Sequence, residues 1–276
     1  MRLAVFHPCG THMADPDPAQ SSIVDRQGPH APRLVRISAT ADLHFGRHPA
    51  DTYGPILTTM AADADVLAIC GDLTDHGRVE EAEALAKVLT QSVRIPIVAV
   101  LGNHDYESAQ EGRVREILVG AGVHMLDGDS VEILGVGFAG VKGFCGGFGP
   151  RALGPWGERL IKDFVQETVA ETLKLETALA RLRSVARVAL LHYAPVASTV
   201  EGEPLEIYPF LGSTRLEEPL VRYEVSAVFH GHAHHGQPEG RTSNGAPVFN
   251  VSLPLMQRMR PEQPFQKFNL KLTTNP

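Results

Sequence analysis

Cysteine is scarce. Cys9, Cys70 and Cys145 are the only three in 276 residues, they lie far apart, and no CxxC pair occurs. So scattered a set excludes a disulfide framework and a thiolate zinc site, and it suits a reducing cytoplasm. Long apolar runs are also missing. None approaches the ~18 residues of a membrane span, so no transmembrane helix is expected. The opening MRLAVFHPCG has too short an apolar stretch, ended by Pro8, to read as a secretory leader. No Lys/Arg-rich tract accompanies the net charge of −7, which argues against a dedicated nucleic-acid or membrane-surface binder. No internal repeat or low-complexity linker divides the chain. Histidine is what the sequence has in plenty, with 13.

Residues 1–33 carry Pro8, Pro16, Pro18, Pro29 and Pro32 and no apolar period, so they read as an irregular arm. A single domain is expected from Leu34 to the end of the chain. Strands are expected at 34–40, 65–70 and 95–102, with helices at about 52–62, 78–91 and 108–120. In the second helix Val79, Ala82, Leu85, Ala86 and Leu89 recur at spacings of three and four, which is one helical face. This β-α-β alternation indicates a layered α/β core. Short strands follow over 123–141, with Asp127-Gly128-Asp129-Ser130 as hairpin chemistry. Beyond a long helix at 158–183, strands are expected at 185–194, 227–231, 247–253 and 268–272. Two sheets result, the second more antiparallel. Residues 142–157 are too rich in Gly and Pro for regular structure. They are either a surface loop or a substrate lid, for which Lys142, Phe144, Phe148, Arg151 and Trp156 would supply contacts.

Five polar clusters end or directly follow expected strands: Asp42-Leu43-His44, Gly71-Asp72, Gly102-Asn103-His104-Asp105, His192, and Gly231-His232-Ala233-His234. Each alone is ordinary turn or core chemistry. Together, at strand ends where ligand sites of open α/β sheets lie, they converge on one rim. Asp42 and His44 share a side of an extended chain, as do His232 and His234. Carboxylate and neutral imidazole suit divalent Mn, Fe or Zn. There are more donors than one ion needs, which fits two ions about 3.5–4 Å apart sharing a carboxylate.

The ordered string Asp-x-His, Gly-Asp, Gly-Asn-His-Asp, His and Gly-His-x-His resembles the calcineurin-like metallophosphoesterase superfamily. Its Gly-Asp-Leu-Thr-Asp-His-Gly block looks like the branch of bacterial cyclic-nucleotide phosphodiesterases. The resemblance implies a four-layer α/β/β/α sandwich of two mixed sheets. It implies that Asp42, His44 and His234 hold one metal, that Asn103, His192 and His232 hold the second, and that Asp72 bridges both. His104 would then stabilise the phosphoryl charge and protonate the leaving oxygen, oriented by Asp105. The implied reaction is hydrolysis of a small phosphodiester or phosphomonoester by metal-bound hydroxide. Asp75 stands where iron(III)–tyrosinate relatives carry tyrosine, so a coloured site is not expected. Two competing readings are a non-catalytic scaffold on the same fold, which should lack His104 or several ligands, and a nuclease, which should show a basic groove.

Overall fold

Buried strands and amphipathic helices account for the architecture of the computed structural model, which describes residues 33–272. The expected arm, apart from Arg33, lies outside the described residues. The first sheet contains β1 (Arg33–Thr40), β2 (Val66–Cys70), β3 (Ile97–Val100) and β4 (Val123–Met125), all parallel, with β11 (Gln266–Leu272) antiparallel on the β1 edge. The second runs β5 (Asp129–Ile133), β6 (Val136–Gly140), β7 (Arg187–Leu190), β8 (Ala227–His230), β10 (Pro247–Asn250) and β9 (Glu239–Arg241). Here only the edge pairs β5–β6 and β10–β9 are antiparallel. The second sheet is thus less antiparallel than the sequence suggests, because its central strands are also joined by crossovers.

Side-chain alternation builds the layers. Val66, Ala68 and Cys70 of β2 face Phe138, Leu190 and Phe229 of the other sheet. Leu67 and Ile69 point the opposite way, against Leu57 of α1 (Tyr53–Ala62), Leu85 and Leu89 of α2 (Val79–Ser92), and Leu118 of α3 (Glu111–Gly120). Beyond the second sheet, Ala189 and Val228 meet Leu175 and Leu179 of α4 (Arg159–Arg181) and Leu220 of α6 (Glu217–Arg222). The result is the expected α/β/β/α sandwich. Fully burying each of these leucines or isoleucines contributes about 1.5–3 kcal/mol relative to exposure.

Three local expectations change. Asp127-Gly128-Asp129-Ser130 is no hairpin: it carries the chain from β4 in one sheet to β5 in the other. The hairpin turn is Leu134-Gly135, whose positive φ values (55° and 85°) suit the strand twist. Strands β3 and β7 stop short of their expected ends, since the chain must leave the ladder to present Asn103 and His192. Residues 253–259 form α7 (Leu253–Met259) rather than the end of a strand, while α5 (Tyr208–Leu211) and α6 sit in a stretch that has no clear period in the sequence. Among the described residues no helix is long and apolar enough to cross a membrane.

Candidate metal centre

Parallel strands deliver the polar clusters to one rim. Asp42 and His44 follow β1, Asp72 follows β2, Asn103 follows β3, His192 follows β7, and His232 and His234 follow β8. The backbone turns abruptly there. Asp42, His44, Asp72 and His232 all have positive φ, between 43° and 70°. Such strain in non-glycine residues persists only where surrounding structure enforces it, and it gathers at functional sites.

Two donor groups hold the expected ligands. Asp42, His44 and His234 bring one ligand atom each within 4.8 Å of one another, and so do Asp72, His192 and His232. Asp72 lies between the two groups: Oδ1 is 3.4 Å from His192 Nε2, and Oδ2 is 3.8 Å from His44 Nε2. Asn103 joins the second group, with Oδ1 2.8 Å from His192 Nε2. His234 Nε2 lies 3.0 Å from Asp42 Oδ1. All seven residues expected to be ligands are therefore brought together.

The donor chemistry fits cations. His192 Nδ1 faces the Cys70 carbonyl at 3.1 Å, which can only accept, so the neutral ring carries its proton there. Burial drives the His192 pKa well down and keeps the ring neutral. Its Nε2 lone pair, Asn103 Oδ1 and Asp72 Oδ1 then face one another as three electron donors. His232 repeats the pattern, with Nε2 3.2 Å from the Phe210 carbonyl. His44 is buried, and neither of its ring nitrogens has a hydrogen-bond partner. Orphaned buried nitrogens are costly unless something coordinates them. Burial lowers the His44 pKa to about 4, so it too stays neutral and able to ligate.

The two carboxylates are pushed apart. For Asp42, burial alone would raise the pKa, but the His234 hydrogen bond and the neighbouring imidazoles outweigh it, so this carboxyl stays ionised. For Asp72, burial and then the charges of Asp42 and Asp105 raise it well above the usual range. Without a cation Asp72 keeps its proton to higher pH, and a metal must displace that proton. Affinity should therefore rise with pH. Manganese titrations in buffers of different ionisation heat should show proton release on binding and tighter binding as the pH rises. A flat affinity with no proton release would contradict this charge state.

One orienting role changes hands. Asp105 does not bond to His104. It is fully buried and accepts from the amides of Leu73 (3.2 Å), Thr74 (2.8 Å) and Gly102 (2.8 Å) and from Thr74 Oγ1 (2.6 Å). Four donors on one carboxyl tie the Gly-Asp loop to the Gly-Asn-His-Asp loop. His104 Nδ1 instead lies 2.8 Å from the Asp75 carbonyl and 3.0 Å from Glu107 Oε1. A carbonyl acceptor at Nδ1 leaves Nε2 as the nitrogen free to exchange a proton. Glu107 escapes a sequence reading because a carboxylate in a polar turn carries no signal of its own. His230, beside the last motif, is buried with Nε2 2.8 Å from Thr199 Oγ1.

Glycines allow the close approach. A Cβ on Gly102 would strike the Asp72 amide and carboxylate, and one on Gly231 would strike the Asp42 carboxylate and Ala41. Gly102→Ala should displace Asp72 and weaken manganese binding by at least the ~10–100-fold that outer partners of ligands cost. Metal content after dialysis, read beside a thermal melt, checks this. A fully loaded variant that melts like wild type would contradict the steric argument.

The loop at 142–157 divides. Lys142 Nζ is held over the rings of Phe144 (4.8 Å), Tyr193 (5.4 Å) and Tyr106 (5.6 Å), and Phe144 packs on Phe164. These buried and half-buried side chains pack against one another. Phe148 and Arg151 instead line an open cavity, and Trp156 is exposed. Gly147 also bridges to Ser213, so excising the loop would damage the core.

A two-sheet sandwich with carboxylate–imidazole clusters at its strand ends is the frame of a metal-dependent phosphoesterase. The profile of the calcineurin-like phosphoesterases matches residues 35–236, and the chain belongs to that family. No curated protein sequence matches it. The fold is similar to that of the phosphopantetheinyl hydrolase of Mycobacterium tuberculosis, at a TM-score of 0.60 and 17% identity over 87% of this chain and 96% of that one. It is also similar to TT1561 of Thermus thermophilus, at a TM-score of 0.51 and 17% identity over 86% of this chain and 99% of that one.

Proposed function

We propose that the chain hydrolyses a small phosphate ester, a phosphodiester ahead of a phosphomonoester, with two divalent ions. Asp42, His44 and His234 would hold one ion, Asn103, His192 and His232 the other, and Asp72 both. The observation that carries the proposal is Asp72, whose two oxygens face different histidine groups. Manganese, iron or zinc there would supply Lewis acidity toward phosphoryl oxygens and lower the pKa of water. His104, with Nδ1 anchored, donates the proton that the leaving alkoxide needs from Nε2. The Asp75 carbonyl and Glu107 fix that ring, and Asp105 fixes the loop that carries it. Intact ligands and His104 weigh against a scaffold, and the acidic chain weighs against a nuclease. Cys70 and Cys145, both buried free thiols, suit a reducing cytoplasm.

The deciding experiment loads the protein with manganese and assays bis-p-nitrophenyl phosphate, p-nitrophenyl phosphate and cyclic nucleotides. Chelator-sensitive turnover with the diester ahead is expected. Complete inactivity of fully loaded protein on every ester would remove the proposal.

A further inference from the structure

Beside the metal centre lies a cavity of about 680 Å³. The Gly-rich loop contributes Phe148, α4 contributes Leu160 and Phe164, and the segment before β8 contributes Leu205 and Phe210. Among the described residues of its wall, Arg151 is the only charged side chain and Tyr208 the only other polar one. Phe210 stands between the cavity and the metal centre and adjoins both. That residue's ring is on the wall, while its carbonyl lies 3.2 Å from His232 Nε2.

The rim is apolar and wet: Leu160 is 81% exposed and Leu205 75%. A contiguous apolar surface beside a polar site marks a place where something apolar is bound. From this we infer that the cavity takes an aliphatic chain attached to the phosphoryl group, so that the substrate is an amphiphilic alkyl or acyl phosphoester. The inference rests on the phosphoesterase reading of the adjacent centre. A nucleobase or sugar would bring several donors and acceptors to a wall with two polar side chains, and each one left unpaired is penalised. A hydrocarbon chain has none to lose.

The test is a homologous series of methyl, butyl and octyl p-nitrophenyl phosphodiesters, followed by calorimetry and by hydrolysis with the metal-loaded full chain. Each methylene that enters the cavity should tighten Kd and lower KM by up to about fourfold, so octyl should exceed methyl by at least roughly tenfold. Leu160→Glu and Leu205→Glu change exposed side chains and should flatten that dependence in both measurements. Affinity independent of chain length, or a slope unchanged in both variants, overturns the inference. A wild-type dimer that Leu160→Glu converts to a monomer, with the slope unchanged, overturns it too and assigns the face to a second copy. Should no ester be hydrolysed, the phosphoesterase reading falls, and the calorimetric slope still decides the cavity.

Discussion

Asp72→Asn is expected to lower manganese from two ions per chain to at most one. The substitution removes the one negative charge placed between two cation sites, and asparagine offers a single ligating oxygen where carboxylate offers two. The geometry makes the loss shared: one oxygen of Asp72 faces His192 and the other faces His44. Changing His234, which belongs to the Asp42–His44 group alone, should empty one site and spare the other. Turnover should fall by more than the ~10–100-fold typical of partners that merely orient a ligand. Metal analysis after gel filtration, with kinetics on bis-p-nitrophenyl phosphate, separates the cases. Two ions and wild-type turnover in Asp72→Asn would mean that the carboxylate is not shared.

His104→Ala should do the reverse, retaining both ions and losing turnover. A positioned proton donor contributes ~10²–10⁴-fold, so that loss is expected with an alkyl leaving group. It should shrink with p-nitrophenolate, which departs with little protonation. The structure makes the result informative, because His44, Asp75 and His104 also bring ligand atoms within 4.8 Å of one another. The two rings meet edge to face at 4.5 Å. If the variant loses one ion, then His104 is a ligand in that third group, and proton donation is not its task. A Glu107→Gln variant separates orientation from chemistry. It should lower kcat less than His104→Ala and shift the pH profile, since Glu107 lies against the Nδ1 edge of the ring.

The five motif blocks were readable in one dimension because each couples a strand end to a turn. Strand ends are marked by β-branched and apolar runs, and three of the five turns by glycine. Parallel pairing then forces Asp42, Asp72 and Asn103 onto one rim of the first sheet and His192 and the β8 histidines onto one rim of the second, and the packing of the sheets brings the rims together. Hydrogen-bond bookkeeping was not readable in this way. Asp105 sits one residue from His104 in the chain, yet its carboxyl faces Leu73, Thr74 and Gly102, because neighbours in a tight 3₁₀ turn point in different directions. The role of Lys142 was hidden likewise, since a cation beside aromatics looks the same in sequence whether it greets a ligand or is enclosed by rings. The short helices α5 and α6 escaped because one or two turns carry no measurable period. Asp127-Gly128 misled because the same residues suit a hairpin and a crossing between sheets.

Alanine is a poor reference residue along this rim. Asp42, His44, Asp72 and His232 hold left-handed backbone, whereas Asn103, at φ −68°, does not. Aspartate, asparagine and histidine tolerate that region better than other side-chain-bearing residues. The residue types that bind cations here are thus also those the backbone accepts most readily. Alanine at His44 would lose a ligand and add up to about 1 kcal/mol of left-handed strain, the scale of histidine's several-fold preference for that region, whereas alanine at His234 would lose a ligand only. An alanine scan would therefore rank His44 above His234 for folding even if both gripped the same ion equally. Asparagine at His44 and His232 keeps the backbone preference, and the comparison of asparagine with alanine at each position measures how much of the rim's sensitivity belongs to the main chain.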